Sequence, residues 1–87
     1  MELSKVASQS NPNSVAGAIA GALEQDAAVE MHAIGACPVN QSVRAIAIAK
    51  RLIAQRDSSV PLKAIPGFIE LEIAGRDKTG MQFIIDK

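Results

Sequence analysis

The sequence predicts an α+β fold: a two-layer domain in which two helices cover a mixed four-stranded sheet, in the order β-α-β-α-β-β. Two segments show apolar residues at helical spacing, and the last part of the chain shows apolar and polar residues in alternation. Clusters of glycine, proline, asparagine and aspartate separate these segments. No linker, internal repeat or low-complexity segment interrupts them, so we expect residues 1–87 to form a single domain.

A short strand and a helix rich in small residues come first. Leu3–Ser8 is the predicted strand, and either asparagine of the following Asn11–Ser14 cluster can accept hydrogen bonds from the first turn of a helix. The helix is predicted over Ser14–Gln25. Gly17 and Gly21 lie in its interior, where each glycine costs roughly 1 kcal/mol relative to alanine. We therefore expect the helix backbone to pack closely against a neighbour at these glycines.

The central stretch, Val29–Arg51, begins as a strand and continues as a helix. Val29–Ile34 is the predicted strand, and Gly35 ends it. Pro38 suits the first turn of a helix, because its missing N–H would have no partner there. From Val39 onward the apolar spacing is helical.

Apolar side chains cover about half of the circumference of this second helix or more. They are Val39, Val43, Ile46, Ala49 and Ile53 on one face, widened by Ala45, Ile48 and Leu52. The narrow polar strip holds Asn40, Arg44, Arg51 and Gln55. A helix this apolar usually buries two sides, so we expect one side to lie on its own sheet and the other on a second copy of the chain.

The remaining sequence predicts a long hairpin. Leu62–Ile65 begins a strand that Pro66-Gly67 kinks or bulges, and Phe68–Ile73 continues it with isoleucine and leucine on one face and glutamate on the other. Ala74–Gly80 is the predicted polar turn, and Met81–Ile85 is the predicted last strand.

Composition limits the class of protein. Nine basic and nine acidic side chains cancel, which argues against binding nucleic acid by bulk charge but permits a local basic patch. A single cysteine is consistent with a reducing compartment. We expect no signal peptide, and the apolar run Val15–Leu23 is far shorter than the ~20 residues that span a bilayer. The expected location is the cytoplasm, and the protein could associate with the nucleoid there.

Catalysis has little support in the sequence. Cys37 lies at a helix start, which can stabilise a thiolate, but a nucleophile needs an adjacent base and none is evident. His32 belongs to no cluster with metal-ligand spacing, and Gly35 alone is not a phosphate-binding motif. We predict no enzymatic activity, no cofactor and no metal site.

Cationic side chains are candidate contacts to nucleic acid, with an ordinary solvated surface as the open alternative. Arg44 and Arg51 lie on the polar strip of the second helix, and Arg76 and Lys78 project from a hairpin long enough to reach into a groove. The free N–H groups at Gly35–Asn40 suit a phosphate. We expect no exposed aromatic side chain, so recognition by base stacking is poorly supported. Spacing alone does not separate the two interpretations.

Several blocks of the sequence resemble the stage V sporulation protein S family. They are Asn11–Gly21 (NPNSVAGAIAG), Ala33–Ala36 (AIGA), Val39–Ala49 (VNQSVRAIAIA) and, in the C-terminal part, Ile65-Pro66 with Phe68 and Glu70–Ile73. The resemblance covers essentially the whole chain, and it implies a regulatory role in spore development.

That family is similar in fold to the Alba proteins, which are β-α-β-α-β-β dimers that bind DNA or RNA. The resemblance implies a homodimer built partly through the second helix, with nucleic acid along the loop before that helix and the hairpins in the minor grooves. The implied nucleic-acid contacts are Asn40, Gln41, Arg44, Arg76 and Lys78, to which the polar strip adds Arg51. The expected dimer interface includes Val43, Ile46, Ala47 and Lys50.

Two departures from the Alba pattern favour a second hypothesis. Gln41 stands where Alba proteins place a lysine, and the net charge of the chain is zero. Because few phosphates can then be neutralised, the expected affinity for nucleic acid is lower. The alternative is a protein-interaction or scaffold module on an Alba-like dimer, in which the hairpin with Arg76 and Lys78 engages a protein partner. The choice between DNA and RNA, and assembly beyond the dimer, stay open.

Overall fold

The computed structural model describes the whole chain, residues 1–87, as two helices on one face of a four-stranded sheet. The elements are β1 (Glu2–Val6), α1 (Pro12–Glu24), β2 (Val29–Ala33), α2 (Ala36–Arg56), β3 (Lys63–Ile73) and β4 (Arg76–Asp86). The strands lie in the order β1-β2-β4-β3. β1 is parallel to β2, whereas β4 is antiparallel to both β2 and β3. The predicted fold class is confirmed, and it agrees with the Alba-like arrangement that the resemblance implies.

β1 ends earlier than the predicted Leu3–Ser8, because a local turn takes over at its end. The Ala7 N–H donates to Ser10 Oγ at 2.9 Å, and the Ser10 N–H donates back to the Ala7 carbonyl at 3.0 Å. These short-range bonds satisfy the backbone groups that a longer strand would present to its neighbour. Ala7 and Ser8 therefore belong to the loop between β1 and α1.

Asn11 is the residue that caps α1. Its side-chain oxygen accepts from the backbone N–H groups of Asn13 at 2.8 Å and Ser14 at 3.4 Å. Pro12 follows as the first helical residue, where a missing N–H costs nothing. The helix therefore begins before the predicted Ser14, and a cap of this kind is worth about 1 kcal/mol.

Alanines bring the two helices together over the sheet. Ala16 and Ala20 of α1 and Ala45 and Ala49 of α2 are at most 7% exposed, and small side chains allow helix backbones to approach closely. Larger apolar side chains from both layers complete the core: Ile19, Leu23, Val29, Met31, Ile53, Phe83 and Ile85.

The buried face of α2 is rotated from the predicted one. Its buried residues are Pro38, Ser42, Ala45, Ala49 and Ile53. Val43, which the apolar pattern places on the buried face, is instead 49% exposed. The whole polar strip predicted from spacing is exposed, so that part of the prediction is confirmed. The helix therefore leaves one apolar side without a partner in the protomer.

Pro66-Gly67 forms no bulge, which is one of the two distortions predicted there. Pairing between β3 and β4 continues without a bulge, with Pro66 opposite Phe83 and Gly67 opposite Gln82. β3 is the edge strand of the sheet, so it tolerates a proline that cannot donate a ladder hydrogen bond.

The hairpin turn is shorter than the predicted Ala74–Gly80. Within the predicted turn, Ala74 and Gly75 alone have positive φ, at 53° and 75°. These two residues form the turn between β3 and β4. Two consecutive positive φ angles are the mark of a type I′ turn, whose twist matches that of the strands on either side. Pairing resumes at once with Arg76 opposite Ile73, so the cations predicted for the turn lie in β4.

The interior glycines of α1 do not pack closely against anything in the protomer. Gly17 and Gly21 are exposed, and a Cβ atom at either position would have no neighbour within 4 Å. The expectation that these glycines permit close backbone packing is therefore wrong within one chain. The neighbouring alanines perform that role instead.

We expect Gly17→Ala and Gly21→Ala each to raise the free energy of unfolding by roughly 0.5–1 kcal/mol, because alanine is the better helix former. Urea denaturation followed by circular dichroism measures the change. Gly80→Ala is the matched control, since its Cβ would lie 2.8 Å from the Ala33 carbonyl oxygen and 2.9 Å from Ile34 Cγ1. The free energy of unfolding of that variant should fall by about 1–3 kcal/mol. Destabilisation by either helix substitution would show that Gly17 or Gly21 does pack closely against a neighbour.

Candidate nucleic-acid interface

The hairpin and the N-terminus of α2 lie at the same end of the molecule. β2 leads through Gly35 into α2, and Ala33 at its end pairs with Met81 of β4. The residues of β4 before Met81 therefore extend beyond β2, together with their partners on β3. Both parts border one cavity, since Pro38 of α2 and Ile73 of β3 line it.

The N-terminus of α2 keeps its free N–H groups. Gly35 occupies the N-cap position with φ 95°, and no side chain caps the helix. The first turn also contains no acidic residue. Unsatisfied N–H groups and the helix dipole make such an end favourable for an anion.

Gln41 fastens the loop between β1 and α1 to α2. Its side-chain amide donates to the Ser8 carbonyl at 3.4 Å and to the Ser10 carbonyl at 3.3 Å. Cys37 Sγ lies 3.8 Å from the same Ser8 carbonyl oxygen. Gln41 therefore has a structural role in the free protein, and its contact with phosphate stays a prediction.

α2 is a basic helix within a neutral protein. Its sequence contains four cations and no acidic residue. Arg56 pairs with Glu24 at the end of α1, whereas Arg44, Lys50 and Arg51 are exposed and form no salt bridge. The surface of α2 therefore has a positive charge that the net charge of the chain conceals.

The hairpin separates its charges between its two faces. Residues directly opposite on neighbouring strands point to the same face, and successive residues alternate between faces. Arg76 pairs with Ile73 and Lys78 pairs with Leu71, so both cations share one face with apolar side chains. The carboxylates of this part, Glu70, Glu72 and Asp77, lie on the opposite face. Thr79 Oγ1 donates to Glu70 Oε1 at 2.5 Å on that face, in agreement with this assignment.

Two carboxyl groups with a lowered pKa, Asp26 and Asp57, lie at the opposite end of the molecule. A hydrogen bond from Lys87 and its charge lower the pKa of Asp26, in the turn between α1 and β2. Hydrogen bonds from the hydroxyl and the N–H of Ser59 lower the pKa of Asp57, just after α2. Neither carboxylate neutralises the cations of the hairpin or the first half of α2.

The side chains predicted to form the dimer interface differ in exposure. Val43 is 49% exposed, and Ala47 and Lys50 are also exposed. Ile46 is half-buried and packs partly against the core of its own chain. The structure therefore presents one side of α2, with an apolar centre, to solvent.

Phe68 is 81% exposed, so the expectation of no exposed aromatic side chain is wrong. Phe68 lies opposite Met81 and so points to the helix side of the sheet, where neither helix covers β3. The alternation of residues along β3 is the sequence signal for the exposure of Phe68. Phe68 shares a face with Glu70, a charged residue that is also exposed. Arg76 and Lys78 point to the other face, so Phe68 does not form a stacking platform beside them.

His32 and Cys37 have different surroundings. His32 is 9% exposed, and its Nε2 lies 2.5 Å from Glu30 Oε2. Cys37 is exposed, and its sulfur contacts a backbone carbonyl. No group of three or more histidine, cysteine or acidic side chains is placed to hold a metal ion. Neither α1 nor α2 has the length and apolar character needed to cross a membrane.

Comparison with known protein families gives a match along almost the whole chain. The family model described as stage V sporulation protein S (SpoVS) matches residues 2–87. The match includes both helices, all four strands and the hairpin, without a large unmatched segment. Family membership supports a regulatory role in sporulation. The chain belongs to the stage V sporulation protein S family.

Proposed function

We propose that this protein is a homodimeric sporulation regulator that binds the backbone of DNA or RNA with its hairpin and the N-terminal half of α2. The main support is the separation of charge on the hairpin. Arg76 and Lys78 share one face and form no salt bridge, while the nearby carboxylates lie on the other. A phosphate that approaches the basic face meets two cations without an acidic side chain beside them.

The N-terminal half of α2 supplies a second, separate part of the proposed surface, since α2 lies on the side of the sheet away from Arg76 and Lys78. Its uncapped N–H groups favour a phosphate, and Asn40 is exposed in the same part of the helix. Arg44 and Arg51 follow on the exposed polar strip without acidic partners. Gln41 holds the adjoining loop in place and can still accept a hydrogen bond through its side-chain oxygen.

The proposed mode of binding is recognition of phosphates with little reading of base sequence. The candidate side chains are mainly cations and helix N–H groups, which are typical contacts to phosphate and carry no sequence information. Neutralised phosphates release counterions, so binding should weaken steeply with salt. Because few cations are present in each protomer, useful affinity requires two protomers to act together.

A second copy of the chain is the proposed partner of the uncovered side of α2. Val43 places an apolar side chain at the centre of that side, with Ala47 and Lys50 beside it and Ile46 at its inner edge. Phe68, on the same side of the sheet as the helices, adds further uncovered apolar surface. Burying this surface in a dimer would fix two hairpins and two α2 N-termini in one particle.

Replacing Arg76 and Lys78 together with alanine should weaken binding and reduce the slope of log affinity against log salt by about 2 per protomer. Each lost cation removes one phosphate contact and its released counterion. Fluorescence anisotropy with a labelled DNA duplex and a labelled RNA, at several salt concentrations, measures the slope. Lys63→Ala is the control, because Lys63 is an exposed cation at the far end of β3, opposite Asp86.

An unchanged salt slope in the double variant, or no binding of either nucleic acid at low salt, would refute the proposed nucleic-acid surface. The scaffold alternative makes a different prediction for the same variant. It expects capture of a protein partner that depends on Arg76 and Lys78 and resists nuclease treatment.

Val43→Glu should convert the dimer largely to monomer, because the substitution places an unpaired carboxylate at the centre of the proposed interface. We expect the dimer dissociation constant to rise by about 30-fold or more. Sedimentation equilibrium measures it, and circular dichroism checks that the fold is kept. Ala18→Glu is the control, since it adds the same charge to an exposed position of α1. A monomeric wild-type protein would refute the proposed dimer.

A further inference from the structure

A cavity of about 420 Å³ lies between the ends of β1 and β2, the start of α2 and the outer part of the hairpin. Its apolar walls come from all four regions: Val6, Ile34, Pro38, Leu71 and Ile73. This volume is within the usual range for sites that bind small organic molecules, roughly 300–1,000 Å³. Leu71 and Ile73 share their face of the hairpin with Lys78 and Arg76, so the cavity adjoins the proposed nucleic-acid surface.

His32 lines this cavity and has one ring nitrogen without a partner. Nε2 is held by Glu30 Oε2 at 2.5 Å, whereas Nδ1 is buried and forms no hydrogen bond with the protein. A ring that donates from Nε2 accepts at Nδ1 when neutral and donates from Nδ1 when protonated. A buried polar atom without a partner costs free energy, and a ligand polar group could remove that cost.

Lys5 supplies a positive charge to the same cavity. It is exposed, forms no salt bridge, and lies directly opposite His32 in the pairing of β1 with β2. Directly opposite residues point to the same face of a sheet. The ammonium group and the imidazole ring are therefore neighbours at one side of an otherwise largely apolar site.

We propose that this cavity binds a small organic monocarboxylate with an apolar tail. The carboxylate would accept from the Lys5 ammonium group and from an Nδ1–H of His32, and the tail would contact the walls formed by Leu71 and Ile73. Glu72 is also in the lining, although its position in the strand directs its side chain to the opposite face of the hairpin. A single carboxylate matches the ammonium group of Lys5 and the imidazole ring of His32, which lie side by side.

Phenylpropanoate is a suitable probe, because its single charge and aromatic ring report on both parts of the site. Titration into ¹⁵N- and methyl-labelled protein should give saturable shifts at Lys5 and His32. Ring-current shifts should appear at the methyl groups of Leu71 and Ile73. The neutral phenylpropanamide should bind at least about tenfold more weakly, a difference that corresponds to the loss of one charged contact.

Lys5→Gln should weaken phenylpropanoate binding by about tenfold or more and leave the amide almost unaffected. Lys63→Gln, which removes an exposed cation remote from the cavity, should bind the acid as the wild type does. His32→Gln is a second variant, and its amide spectrum shows whether it remains folded.

The absence of saturable shifts up to about 20 mM, where even weak fragment binding would be evident, would overturn the proposal. Equal affinity for the acid and the amide would also overturn it, as would unchanged binding by Lys5→Gln. Shifts centred on Phe68 instead of Leu71 and Ile73 would show adhesion to exposed apolar surface and would count against the site. The test uses no nucleic acid, so its result is independent of the proposed function.

Discussion

The antiparallel pairing of β2 with β4 is the interaction on which the rest of the structure depends. These two strands form the centre of the sheet, and Met31, Phe83 and Ile85 from them are buried beneath the helices. β2 has five residues, whereas β4 and its partner β3 have eleven each, so the hairpin extends beyond the end of β2. At that point Gly80 passes close to Ala33, where a side chain would meet the carbonyl oxygen. The same pairing places the hairpin beside the start of α2.

Strand periodicity explains how a neutral chain can present a basic surface. Alternation along β4 places Arg76 and Lys78 on one face and Asp77 on the other, and the cross-strand partners extend that separation to β3. α2 also presents a basic surface, because its sequence contains no acidic residue. Net charge therefore describes this molecule poorly, and the relevant quantity is the charge on each face.

The helical layer covers only part of the sheet, and the uncovered parts are the ones that matter for partners. α1 lies over β2, and α2 lies over β1 and β2, with Phe83 and Ile85 of β4 in the same core. The helix side of β3 is open at Phe68. α2 itself keeps Val43 exposed, because its buried face is centred on Ala45 and Ala49. The hairpin also encloses a cavity against the end of β1. A small domain with few elements thus offers three separate regions for contact.

Local spacing and the quoted sequence blocks were enough to predict the order of the elements, an asparagine cap for α1, the exposed strip of α2 and the family. The choice of Asn11 over Asn13 as the cap came from the structure. The sequence also indicated which candidate cations lie on α2 and on the hairpin. The two-residue turn at Ala74 became evident from the folded chain alone, because an alanine with positive φ gives no sequence signal. The tertiary structure likewise decided the burial of His32 and the exposure of Phe68. Local periodicity fixes which side chains share a face, but coverage of that face depends on distant parts of the chain.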